Sequence, residues 1–220
     1  MRPAAQSRLI ALGYADRHIP MHKRPTPPSK EQIDLLAPFE RLGLERIELI
    51  STPGHAQRAA LALRACGAWG FDTESRPTFI AGQESDGPHV VQLATLERAW
   101  VFQLHDPDCM AEVAALLAWP DAVKAGFGLG DDRKRIQSRL GVEPVRVHEL
   151  GHDFRRQGYR QQIGVKTAVA LLFERRFAKS KKAATSNWAS PSLTESQLLY
   201  AANDAWAALR CYHALQPQKN

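Results

Sequence analysis

The stretch Ala68-Trp69-Gly70-Phe71-Asp72-Thr73-Glu74 constrains this chain more than any other segment. Its aromatic and apolar residues favour a strand, and it ends on two acids spaced two apart. A strand alternates its side chains, so Asp72 and Glu74 leave one face while Trp69, Phe71 and Thr73 leave the other. Neighbouring carboxylates repel each other unless a cation lies between them. Hard divalent ions such as Mg²⁺ bind oxygen clusters of this kind. In isolation, however, D-x-E also describes a strand end that points two acids at water, and short motifs match often by chance.

The rest of the chain supplies partners for such a strand. Arg46 to Ile50 alternates polar and apolar residues, and Val90 to Ala94, Trp100 to Leu104, Val123 to Phe127 and Val145 to Leu150 are further β-like runs. Helical patterns cover Thr52-Pro53 to Cys66, Met110 to Ala118, Leu129 to Leu140 and Gln162 to Arg176, with a polar, basic loop expected from Lys179 to Ser192. The last helix is the clearest. Thr194-Glu195-Ser196-Gln197 matches a capping box, and Leu198, Ala202, Ala205, Leu209 and Tyr212 recur behind it at helical spacing. Strands come early and mix with helices, which predicts an α/β fold with a central mixed β-sheet flanked by helices.

Two domains of unequal kind are expected: residues 1–45 as a proline-rich basic extension, and 46–220 as the compact domain. Between Arg17 and Lys30, Pro20, Pro25, Pro27 and Pro28 disfavour helix and sheet alike, so this stretch reads as a linker or a surface-wrapping arm, with a short helix from Ser29 through Leu36. No apolar run approaches the roughly 20 residues that span a bilayer, and no secretory signal is evident. The three cysteines, Cys66, Cys109 and Cys211, are widely spaced and form no C-x-x-C pair, which argues against a disulfide framework or a thiolate zinc site. A cytoplasmic protein is the expectation. The formal charge of +6 favours polyanions such as nucleic acid, a weak signal that gains weight because the best catalytic candidates are all acidic.

Two further constellations carry chemistry. Tyr200 and Asp204, four apart on the last helix, share one face. In Lys124-Ala125-Gly126-Phe127-Gly128-Leu129-Gly130-Asp131-Asp132, glycines at alternate positions join a strand to a helix. Backbone N–H groups of such a loop can cradle phosphate, but the loop is neither a P-loop nor G-x-G-x-x-G, and taken alone it reads better as a tight turn.

Together these pieces resemble the DEDD (DnaQ-like) 3′→5′ exonucleases of the RNase D and Werner type, which share an RNase H-like fold. Gly70-Phe71-Asp72-Thr73-Glu74 resembles the first motif, Val91-Gln92-Leu93-Ala94-Thr95 the next strand, and Lys124-Ala125-Gly126-Phe127-Gly128 through Asp132 the second motif. Asn187-Trp188, then Pro191, Leu193 and Thr194, then Leu199-Tyr200-Ala201-Ala202-Asn203-Asp204-Ala205 resemble the third. One branch of the family has tyrosine four residues before the last aspartate; the other has histidine five before it, where this chain has Leu199. The resemblance therefore implies the tyrosine (DEDDy) branch. The proline-rich front has no counterpart in the family pattern, and RNase D proteins usually carry helical accessory domains after the nuclease.

The resemblance implies a nucleic-acid substrate, DNA or RNA, with a free 3′ end, from which nucleoside 5′-monophosphates are hydrolysed. It also implies two divalent ions, Mg²⁺ or Mn²⁺. Asp72, Glu74 and Asp204 would hold the ion that activates water, Asp72 would bridge to a second ion supported by Asp132, and Tyr200 would position the water. Glu74 and the backbone near Thr73 are candidate contacts for the terminal 3′-hydroxyl. Phe127 is a candidate for stacking on a base, or else a core residue. Lys179, Lys181 and Lys182 are candidates for phosphate contact, or else a solvated charge run. The competing readings are a nucleic-acid-binding module with a decayed nuclease site, and an interaction protein whose arm recruits partners.

Overall fold

Alternation in the apolar runs becomes a six-stranded mixed sheet. The computed structural model describes residues 24–78 and 86–217; the front of the expected arm, from Arg17 to Lys23, lies outside the described residues. Strands β1 (Ile47–Ile50), β2 (Ala68–Glu74), β3 (Val90–Ala94), β4 (Ala99–Gln103), β5 (Val123–Gly126) and β6 (Val147–Glu149) are arranged β1-β4-β3-β2-β5-β6. β3 runs antiparallel to β2 and β4, and the other neighbours are parallel. The β3–β4 turn is tight because the Thr95 hydroxyl accepts the N–H groups of Glu97 and Arg98.

Strands β1, β3 and β4 feed two cores, one on each face of the sheet. Trp69 and Phe71 of β2, Val91 and Leu93 of β3, and Trp100 and Phe102 of β4 pack under α2 (Pro53–Arg64), α3 (Pro107–Leu117) and α4 (Leu129–Leu140). Burial of Phe71 alone stabilises by about 1.5–3 kcal/mol. The alternate residues Val90, Ala94, Ala99 and Val101 meet α8 (Glu195–Leu215) on the opposite face. Asp72 and Glu74 share that face, so the central strand presents its acids to α8.

α8 begins with the capping box expected from the sequence: Gln197 N–H donates to the Thr194 hydroxyl, and Thr194 N–H donates to Gln197 Oε1. Its burial differs from the single stripe expected. Leu198 and Tyr212 are only half-buried, whereas Ala201, Asn203, Asp204, Trp206, Ala207, Ala208 and Cys211 are buried together with Ala202, Ala205 and Leu209. The cause is a second covering layer. Residues 37–44, assigned from sequence to the extension, lie against the outside of α8. Leu42 N–H donates to Asn203 Oδ1 at 2.8 Å, and Asn203 Nδ2 donates to Leu42 O at 3.2 Å. Phe39 and Arg176 exchange backbone hydrogen bonds with each other's strands of chain through Arg176 O and Ala37 O. α5 (Leu150–Arg156) and α6 (Val165–Phe173) close the remaining side through the core that includes Leu150, Phe154, Val169 and Ala208.

Several boundaries differ from the sequence reading. The helix expected from Met110 starts at Pro107, because Asp106 Oδ1 accepts the N–H groups of Asp108 and Cys109. The strand expected over 145–150 covers only Val147–Glu149, and α5 follows at once. Glu149 explains the change: one carboxylate oxygen accepts Gly151 N–H, capping α5, while the other accepts Leu129 N–H across the fold. The helix expected over 162–176 is α6 alone, ending where Glu174 turns left-handed at φ 54°. The loop expected over 179–192 contains the short α7 (Lys181–Ala184), capped by Ser180. The first helix, α1, spans Lys30–Asp34. Among the described residues no helix is long and apolar enough to cross a membrane.

Candidate metal centre

Gly70 brings α8 to the acids. A Cβ built there would lie 1.8 Å from the carbonyl oxygen of Ala205, so only glycine lets the helix backbone rest on β2. One residue before Ala205, Asp204 then faces the strand positions two and four residues beyond Gly70. Asp72, Glu74 and Asp204 each present a carboxylate oxygen, and these atoms lie within 4.8 Å of one another. Asp204 is 4% exposed; among the described residues its Oδ2 meets the Lys179 ammonium as an ion pair, and its Oδ1 accepts no hydrogen bond.

The surroundings resist ionisation of this cluster. Burial, then the Asp204 and Asp132 charges, push Asp72 well above the usual carboxylate range. Burial, then Asp72 and Asp204, raise Glu74 to about 9. Burial raises Asp204 to about 6, with Lys179 opposing the shift. Converging buried oxygens that cannot all stay ionised fit a hard divalent cation, which would favour the ionised form of each. Oxygen-only ligands suit Mg²⁺ or Mn²⁺ better than a thiolate-seeking metal.

The second motif approaches from the other face of β2. Gly126 is needed for close approach, since a Cβ there would lie 2.4 Å from Phe71 O, and Gly128 adopts φ 73°. The turn starts α4, whose first N–H is taken by Glu149 rather than left for a phosphate. Asp132 is half-buried and Asp131 is exposed. Asp132 Oδ1 accepts the Thr73 hydroxyl at 2.6 Å, and Thr73 N–H donates to Asp72 Oδ1 at 2.9 Å. Thr73 thus links two acids, and both its side chain and its N–H are used inside the site. Burial raises Asp132, while the Thr73 hydrogen bond and Arg135 restrain the shift.

Tyr200 sits one turn before Asp204, between Trp188 (ring centroids 6.0 Å apart) and Lys179. Burial, then Asp204, raise its phenol to about 12. It therefore keeps its proton at neutral pH and can act as a donor. Two cavities adjoin the cluster. One of about 220 Å³ is lined by Asp72, Phe127, Gly128, Gln162, Lys179 and Asp204. The other, about 330 Å³, is lined on its Asp204 side by Tyr200, Leu199, Asn203 and Ser180. Phe127 packs partly against the core while facing the first cavity. Lys179 Nζ lies 2.5 Å from Asp204 Oδ2, whereas Lys181 and Lys182 are exposed on α7.

Sequence reasoning missed Gln92 and Asn203. Gln92 is directly opposite Asp72 in the β2–β3 register and fully buried, and among the described residues neither amide atom has a hydrogen-bond partner. Its signal was a polar residue inside Val90-Val91-Gln92-Leu93-Ala94, a run buried on both faces. Asn203 had no local signal, because its partner Leu42 is 161 residues away.

A family model described as 3′-5′ exonuclease matches residues 47–220. The chain belongs to the 3′-5′ exonuclease family. It is of the DEDD type seen in RNase D and the Werner exonuclease. A curated relative is the mouse (Mus musculus) bifunctional 3′-5′ exonuclease/ATP-dependent helicase WRN, 28% identical over 150 residues, which are 66% of this chain and 11% of that protein. The exonuclease-family chain thus spans about a tenth of that relative. Among solved structures, the Aedes aegypti Nibbler EXO domain aligns with TM-score 0.67 at 22% identity, covering 80% of this chain and 89% of that one. Trypanosoma brucei RNase D aligns with TM-score 0.71 at 19% identity, covering 79% and 66%. Escherichia coli RNase D aligns with TM-score 0.65 at 22% identity, covering 77% and 44%. At these identities the likeness speaks for the fold, which is the RNase H-like arrangement expected from the motifs.

Proposed function

We propose that this chain is a metal-dependent 3′→5′ exonuclease of the tyrosine branch, acting on DNA or RNA with a free 3′ end and releasing nucleoside 5′-monophosphates. The observation that carries the reading is the convergence of Asp72, Glu74 and Asp204 within 4.8 Å, with Tyr200 a turn away on the helix that supplies Asp204. In this reading Asp72, Glu74 and Asp204 would hold one divalent ion, and Asp132, oriented by Thr73, would help Asp72 hold a second. When bound, such ions lower the pKa of water and offset charge building on the phosphate oxygens. Tyr200, held protonated, donates its O–H to orient the attacking water rather than removing a proton from it. Asp132, tied by Thr73 rather than gathered into the cluster of three, acts from the α4 side. In this reading Phe127, which lines the cavity beside Asp72, stacks on a terminal base. Lys181 and Lys182, exposed next to the cavity residue Ser180, in the same reading meet phosphates of the strand.

The test is degradation of 5′-labelled single-stranded and duplex DNA and RNA with Mg²⁺, Mn²⁺ or chelator. A descending ladder that needs the metal is expected. Internal cuts, or digestion of a closed circle, overturn the exonuclease reading. Tight binding with no turnover under any metal identifies a binding module with a decayed site instead.

A further inference from the structure

The acid cluster already contains a cation of its own. Lys179 Nζ lies 2.5 Å from Asp204 Oδ2, and the lysine side chain is 25% exposed while that of Asp204 is 3% exposed. The same ammonium stands 5.0 Å from the centre of the Tyr200 ring, so it occupies the space between the carboxylate and the phenol. Among the described residues the other cations stay farther out: Arg135 is 3.9 Å from Asp132, and Lys166 reaches Asp204 only through its field.

We propose that Lys179 is a built-in counter-ion of the acid cluster, which a divalent metal must displace from Asp204 in order to bind. This rests on the metal-centre reading above. Asp204 is one of the three residues whose oxygens converge, so an ammonium on its carboxylate and a dication in the cluster compete for the same negative charge. Repulsion between the two cations is strong where burial keeps water from screening it. The backbone has little freedom to carry the lysine away. Arg176 N–H is bonded to Ala37 O on one side, and Ser180 caps α7 on the other. The side chain has room to swing: Lys179 lines the 220 Å³ cavity, and its neighbours Ala178 and Ser180 line the 330 Å³ one. A flexible four-carbon stem carrying a compact charge suits such a move, where a rigid arginine fork does not.

A purely structural lysine and a competing lysine predict opposite changes in metal affinity, so Mn²⁺ binding to the chelator-stripped full chain separates them. Free Mn²⁺ is followed by electron paramagnetic resonance for wild type, Lys179→Met and Lys179→Arg. Lys179→Met should bind the first Mn²⁺ roughly tenfold more tightly, while Lys179→Arg stays near wild type or binds more weakly. Equal or weaker binding by a folded Lys179→Met overturns the proposal and leaves the metal centre standing. Absence of Mn²⁺ binding by every form overturns both. A second readout needs no variant: acylation of Lys179, followed by mass spectrometry on the wild type, should be slow in chelator and faster with Mn²⁺. Unchanged or slower labelling overturns the proposal even if the methionine variant fails to fold.

Discussion

Replacing Gly70 with alanine should damage the site without touching any acid. The new Cβ would lie 1.8 Å from Ala205 O, 2.6 Å from Ala205 C and 3.1 Å from Leu209 Cβ. The first two atoms are helix backbone and cannot rotate aside. To restore a C···O contact of about 3.3 Å, α8 must retreat by about 1.5 Å at this point. Overpacking of this kind costs about 1–3 kcal/mol, and backbone as the obstacle argues for the upper end. Asp204 precedes Ala205 and travels with it, out of a cluster whose oxygens span 4.8 Å. A misplacement of about 1 Å in a catalytic constellation can cost about 10²-fold in rate. The variant should therefore lose about 3 kcal/mol in urea unfolding, and turnover on a 3′-recessed or single-stranded oligonucleotide should fall about a hundredfold at saturating Mg²⁺. If Gly70→Ala unfolds within about 1 kcal/mol of the parent and keeps its turnover and metal affinity, then Gly70 is not what seats Asp204.

Three other outcomes are expected. Asp132→Asn should remove most turnover while the exposed Asp131→Asn stays within a few-fold of the parent; the reverse order would shift the second motif by one residue. Tyr200→Phe should lower turnover with oligonucleotide binding nearly intact, as measured by fluorescence anisotropy, and unchanged turnover would reduce the tyrosine to packing. In chelator, stability should fall as pH rises. Folded Glu74 keeps its proton to about 9, whereas the unfolded chain releases it near a pKa of about 4.3. The folded state therefore holds more protons across that window, and the slope of stability against pH is negative. Asp204, raised to about 6, adds in the same sense. Urea midpoints at pH 6 and 8.5 for wild type and Glu74→Gln check this: the wild type should lose more than the variant, and a flat or rising wild-type profile refutes it.

Much of the site was legible because its residues report on local geometry. A period of two placed Asp72 and Glu74 on one face, and β2 has them there. Helical spacing alone, counted from Leu129 and Ile136, turns Asp132 inward and Asp131 outward, and α4 has them there. The capping box marked the start of α8 to the residue. From sequence Lys179 is a candidate phosphate contact or a solvated charge, because nothing in Ala178-Lys179-Ser180 shows that a helix beginning at Glu195 brings Asp204 beneath it. Glu149 was absorbed into a strand, because its role as a cap for α4 depends on Leu129, 20 residues earlier.

The sequence by itself determined the kind of most elements, the helices α5 and α7 excepted, together with the acids, their faces and the order of the motifs, since backbone periodicity and capping act over a few residues. Only the tertiary structure decided how those faces meet. The close seat of α8 on Gly70 draws Asp204 to Asp72 and Glu74. The clasp between Leu42 and Asn203 buries the outside of that helix. The Thr73–Asp132 bond ties the two faces of β2 to one site, and the seat of Lys179 sets the cluster's internal charge. Each is a contact between residues far apart in the chain, and local pattern holds no information about which distant surface will cover a given face.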